Sequence, residues 1–78
     1  MAKIQRWEIP LDGEPHHITY KRRALSRKVC MEIDGESFTL PRTQREEIFR
    51  RGDEQAILCV DRKGRATIRL RDGVIEEI

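Results

Sequence analysis

The sequence predicts an all-β protein, a compact antiparallel β-sandwich or small barrel built from six to seven short strands joined by hairpins. Apolar and polar residues alternate along most of the chain, which is the period of a strand with one buried face. Two Asp-Gly pairs, Asp34-Gly35 and Asp72-Gly73, stand between such runs and favour tight two-residue hairpin turns. The 78 residues are expected to form a single domain over positions 1–78.

The central hairpin has the best-defined register. A turn at Asp34-Gly35 gives three cross-strand pairs on one face: Ile33–Glu36, Met31–Phe38 and Val29–Leu40. A slip of one residue would move all these side chains to the other face, so the pairing is strongly specified. We expect one core composed of Val29, Met31, Ile33, Phe38 and Leu40 together with Trp7, Ile9 and Ile18.

The N-terminal residues predict a second hairpin. Trp7, Ile9 and Leu11 alternate with polar residues, and the chain turns at 12–15 before a strand at 16–20. A four-residue loop would give the pairs Leu11–His16, Ile9–Ile18 and Trp7–Tyr20. Pro10 lacks an N–H group, which indicates an edge strand or a bulge.

The segment 43–51 allows two alternatives. Thr43 and Glu46 match a capping box and Gly52 suits a helix C-terminus, which predicts a short helix. The competing interpretation is a loop that leads into a strand at 47–49. Further on, strands at 54–60 and from Ala66 are separated by a five-residue loop that pairs Leu58 with Ile68, and a last strand covers 74–78.

Positive charge is concentrated in two runs that contain no acidic residue, although the net charge is only +2. The candidate interaction or phosphate contacts in these runs are Lys21, Arg22, Arg23, Arg27, Lys28, Arg69 and Arg71. Phosphate binding is one interpretation. Solvated strand faces, on which basic side chains also prevent aggregation, are the other, and the near-neutral total charge favours them.

Catalytic, cofactor-binding and metal-binding patterns are not found in the sequence. His16 and His17 are adjacent on a strand and therefore point to opposite faces. Cys30 and Cys59 show no CxxC spacing and are expected to be reduced core residues. We therefore expect a protein that is not an enzyme and holds no cofactor. No apolar run is long enough for a membrane span, and a cytoplasmic location is expected.

Several short motifs resemble a domain of the Fas apoptosis inhibitory molecule family. They are Trp7, Leu11-Asp12-Gly13, His16-x-Ile18-x-Tyr20, Ser26-x-Lys28, and the run from Val29 to Asp34-Gly35-Glu36, with a weaker likeness at Glu47-x-Phe49, Gly52 and Ile68. The chain has Arg23-Ala24-Leu25 where the family has a glycine-threonine pair, and it is a single, shortened domain. The resemblance implies a compact antiparallel β-sandwich without enzymatic activity.

The expected function is a non-enzymatic protein-interaction or regulatory module with a protein partner. The alternative is a small basic β-barrel that binds nucleic acid, which is less favoured because the four aromatic residues lie mostly on predicted core faces. A weak homodimer is also expected, through an exposed edge at the C-terminal strand with Ile75 and Ile78.

Overall fold

The computed structural model describes residues 3–22, 28–41 and 43–78 and confirms an all-β fold of two antiparallel four-stranded sheets. The first sheet has the order β1-β2-β3-β4 and the second β5-β6-β7-β8, so neighbours in sequence are neighbours in space. The strands are β1 (Lys3–Leu11), β2 (Glu14–Arg22), β3 (Lys28–Ile33), β4 (Glu36–Pro41), β5 (Glu46–Arg51), β6 (Glu54–Val60), β7 (Ala66–Leu70) and β8 (Gly73–Ile75). These are eight strands in the described ranges, where six to seven were predicted.

The central hairpin has the predicted register. Asp34 and Gly35 form the turn with φ values of 48° and 89°, the left-handed backbone that this two-residue turn requires. The opposed residues of β3 and β4 are those expected, from Ile33–Glu36 to Val29–Leu40. The Leu58–Ile68 pair between β6 and β7 is confirmed as well.

The predicted register of the first hairpin is wrong by two residues. Only Asp12 and Gly13 form the turn, and Glu14 and Pro15 already belong to β2. Trp7 therefore faces Ile18, and Ile9 faces His16. Pro10 lies opposite Pro15. In a two-residue hairpin this is a non-hydrogen-bonded pair, so neither proline removes a hydrogen bond from the ladder.

The short helix predicted near 43–51 does not form. Residues 46–51 are the edge strand β5, as the alternative interpretation has it, and only the Thr43 region before it is turn-like. Burial explains the outcome. On β5, Phe49 is buried and Glu47 half-buried, whereas Glu46, Ile48 and Arg50 are exposed, which is the period of two that a strand provides.

The core lies between the two sheets and is formed by alternate residues of most strands. Its members are Trp7, Ile9, Leu11, Ile18, Tyr20, Val29, Met31, Ile33, Phe49, Ala56, Leu58, Ala66 and Ile68. The prediction that Phe38 belongs to this core is wrong, since its ring is 44% exposed, and Leu40 is only partly buried. The free thiols of Cys30 and Cys59 are half-buried and not part of the core cluster.

The two sheets are linked along β1 by a buried amide. The Gln5 side chain donates from Nε2 to the Ala66 carbonyl at 2.8 Å and accepts the Ala66 N–H at 2.9 Å, so it pairs with β7 as a strand would. Ile78 N–H donates to the Arg6 carbonyl at 2.9 Å. The C-terminal edge is therefore shorter than predicted, because β8 has three residues and the chain then pairs with β1.

Candidate interaction surface

A groove opens on the side of the sandwich opposite this link, between β4 and β5. Met31, Ile33, Phe38 and Leu40 line it from the first sheet, and residues 47–51 line it from the second. Its volume is about 170 Å³. Because small-molecule sites usually measure roughly 300–1,000 Å³, this space suits a few side chains better than a whole ligand.

Phe38 and Ile48 are the two exposed apolar side chains of the groove. They are 44% and 45% exposed, respectively. Phe38 lies on the inward-facing side of β4, as does the half-buried Leu40. The second sheet covers Phe38 only in part, because β5 is the edge strand of that sheet. Ile48 points to the outer side of β5, away from Phe49. Apolar side chains on both sides of one groove are typical of a surface that a partner covers.

Both strands beside the groove have an unpaired backbone edge. In the described part of the chain, β4 is hydrogen-bonded only to β3 and β5 only to β6. Val60 N–H donates to the Arg45 carbonyl at 2.9 Å. Because antiparallel residues alternate, the backbone groups of Glu46, Ile48 and Arg50 then point away from β6, to the free edge.

Two side chains partly cap this free edge. Gln44 Nε2 donates to the Glu46 carbonyl at 3.1 Å, and Arg51 Nη1 donates to the Arg50 carbonyl at 2.8 Å. The same Gln44 amide contacts the Glu47 carboxylate. The caps satisfy two carbonyls in the free protein with exposed side chains, which a partner strand can displace.

The predicted basic side chains that the structure describes lie in different parts of the fold. Lys21 lies at one end of β2, 3.9 Å from the Glu32 carboxylate. Arg69 is exposed on β7, where it is paired with Ile57 of β6. Arg71 follows β7 and lines a surface depression together with Gly13 of the first hairpin turn. Arg23 and Arg27 lie outside the described residues, as does the Lys28 side chain.

Arg22 contacts another part of the fold. Its guanidinium group lies against Gly64 in the loop between β6 and β7, where Gly64 is buried. This glycine has φ of +84°, a conformation that side chains rarely adopt. No local sequence signal indicates this contact, because the two residues are far apart along the chain.

His16 and Asp34 form a close pair of titratable groups outside the groove. His16 Nδ1 lies 2.5 Å from Asp34 Oδ2, and His17 N–H donates to Asp34 Oδ1 at 2.9 Å. The hydrogen bond with His16, followed by that from the His17 backbone, lowers the pKa of Asp34. Asp34 also donates its own N–H to the His17 carbonyl, so the pair ties the β3–β4 turn to β2.

Within the described ranges, no group of three or more His, Cys, Asp or Glu side chains is arranged to hold a metal ion. The same residues contain no helix that could span a membrane. No family model, no curated protein and no solved structure matches this chain.

Proposed function

We propose that this chain is a non-enzymatic protein-interaction module that binds an extended peptide segment in the groove between β4 and β5. The observation that carries the proposal is the exposure of Phe38 and Ile48 beside two unpaired strand edges. A strand added to a sheet edge gains backbone hydrogen bonds, and side-chain pockets beside the edge supply selectivity.

The composition of the groove supports this function, and the cysteines bear on the cellular location. The groove is apolar at its base, where Met31 and Phe49 are buried, and charged at its rim, where Glu47, Arg50 and Arg51 lie. That pattern of apolar centre and polar rim is common in protein interfaces. The free thiols of Cys30 and Cys59 are in keeping with a reducing compartment, which agrees with the proposed cytoplasmic location.

The test begins with selection of short peptides on the parent protein from a random library. Binding of one selected peptide is then measured by fluorescence anisotropy for Phe38→Ser and Ile48→Ser. We expect each variant to bind about tenfold more weakly, since each loses an apolar contact at the interface. Val74→Ser is the matched control, because Val74 is 61% exposed but lies on β8.

Three outcomes would contradict the proposal. They are a selection that yields no peptide binder, groove variants that bind as tightly as the parent, and a Val74→Ser variant that is weakened as much as they are. Amide hydrogen exchange provides an independent measurement. A strand paired with β5 must protect the Ile48 N–H group, which points to the free edge, and should leave exchange on β8 unchanged.

A further inference from the structure

We infer that the segment bound along β5 is the same strand of a second copy of this chain. The inference rests on the proposed function, because it names the occupant of the same groove. It follows from the order of charges along β5, Glu46-Glu47-Ile48-Phe49-Arg50-Arg51, in which acids precede and bases follow an apolar centre.

Symmetry restricts how two β5 edges can pair. In an antiparallel pair, each residue that points its backbone groups to the partner must oppose a residue that does the same. Glu46, Ile48 and Arg50 are the residues of β5 that point to the free edge, as the Val60–Arg45 hydrogen bond on the other edge establishes. A two-fold symmetric pair in which these three residues oppose one another must therefore centre on Ile48.

The centre at Ile48 is electrostatically favourable on the outer face of β5. It places Glu46 of each copy opposite Arg50 of the other and Ile48 opposite Ile48. A centre at Glu46 would oppose two carboxylates, and a centre at Arg50 would oppose two guanidinium groups, both of which are unfavourable for directly opposed strand residues. The charge order of β5 is thus complementary to itself in the register centred on Ile48.

The favoured pairing also covers the exposed groups of the groove. The side chains of Glu46, Ile48 and Arg50 are all exposed on the outer face of β5, so the Ile48 pair is enclosed between two Glu–Arg pairs. The three opposed positions allow about six backbone hydrogen bonds between copies. These intermolecular hydrogen bonds replace the capping contacts that Gln44 and Arg51 make with the free edge in the single chain.

The dimer joins the two grooves. The two-fold axis is perpendicular to the extended sheet, so the β4 strands of both copies lie on the same face of that sheet. The Phe38 rings of the two copies then face a shared apolar channel next to the axis, which gives a reason for their exposure in the single chain.

A charge exchange tests the pairing. We expect the parent to self-associate in sedimentation equilibrium as its concentration rises through the micromolar range at low ionic strength. In Glu46→Arg and in Arg50→Glu, both symmetric contacts change from attraction to repulsion, and the dimer dissociation constant should rise about tenfold or more. The double variant Glu46→Arg/Arg50→Glu should recover the parent's association.

An equimolar mixture of the two single variants is the most specific measurement. A chain with Glu46→Arg is complementary at both contacts to a chain with Arg50→Glu, so the mixture should form heterodimers although each variant alone is monomeric. Glu8→Arg and Arg69→Glu carry the same changes in net charge at exposed positions on β1 and β7 and should associate as the parent does.

A parent of constant monomer mass would overturn the inference, as would single variants that associate like the parent or a mixture that stays monomeric. The proposed peptide-binding function is tested separately from the dimer. If the parent is monomeric but selected peptides still bind through Phe38 and Ile48, the groove binds another protein. If the peptides also fail, the groove is not an interaction site.

Discussion

The guanidinium group of Arg22 occupies the space beside Gly64, so that a Cβ added to Gly64 would lie 1.0 Å from Arg22 Nη1. The contact joins the end of β2 to the loop between β6 and β7. Asp61 organises that loop by accepting the N–H groups of Lys63 and Arg65, both at 2.9 Å. The hydrogen bond from Arg65 is the main cause that lowers the pKa of Asp61.

Gly64→Ala should therefore destabilise the fold by about 1–3 kcal/mol, through the strained positive φ and the displacement of Arg22. Urea unfolding of Gly64→Ala, Arg22→Ala and the double variant separates these causes. In the Arg22→Ala background, the cost of the alanine should fall to the backbone strain alone. Strictly additive effects would show that the guanidinium contact has no energetic role.

Gln5→Leu should cost about 2–4 kcal/mol, because it leaves the buried N–H and C=O of Ala66 without their partner. The Gln5 amide also donates to Glu77 Oε1 at 2.7 Å, which in turn accepts from Arg65 at 2.9 Å. Gln55→Leu on β6 is the matched control, since Gln55 is exposed. Equal unfolding midpoints for the two variants would contradict this bridging role.

Met31→Ala and Phe38→Ala should differ although the two residues are opposed in one hairpin. Met31 is 1% exposed, so its truncation leaves a cavity and should cost about 2–5 kcal/mol. Phe38 is 44% exposed, and its truncation should cost less than about 1 kcal/mol in the monomer. Thermal melts at low protein concentration measure both, and a similar loss for the two would place Phe38 in the core after all.

Asp34→Asn should reduce the loss of stability in acid. Because the folded pKa of Asp34 is lowered, its carboxylate contributes stability above the unfolded pKa of about 4, and this contribution is lost as the pH falls through the folded value. The melting temperatures of parent and variant should therefore differ at neutral pH and converge as the pH falls below about 4. A constant difference across that range would contradict the role of Asp34. Asparagine also tolerates the positive φ of this turn.

Local signals predicted the elements whose geometry depends on neighbouring residues. The register of β3 and β4 follows from Asp34-Gly35, because a two-residue turn and a period of two leave one arrangement with a common apolar face. The first hairpin was predicted with the correct faces but with a loop two residues too long. An error of two preserves side-chain direction, so Trp7, Ile9 and Ile18 are core residues as expected.

Residues 43–51 show where local signals fail. Thr43 and Glu46 have helix-capping chemistry, yet burial of Phe49 against the first sheet selects a strand. Propensity differences are small compared with the free energy of burying a large side chain, so the packing partner decides. Phe38 is the converse case, since its alternation predicts burial but none of the strands in the described residues extends the second sheet beyond β5 to cover it.

The sequence by itself determined the all-β class, the central hairpin with its register, and the absence of a recognisable catalytic motif. The groove was decided only by the tertiary structure, because Phe38 and Ile48 belong to different sheets and line one groove only when the sheets stack. The order of charges on β5 was readable from the start. Which of these charges can oppose a partner strand depends on which backbone groups of β5 point away from β6, and only strand pairing determines that direction.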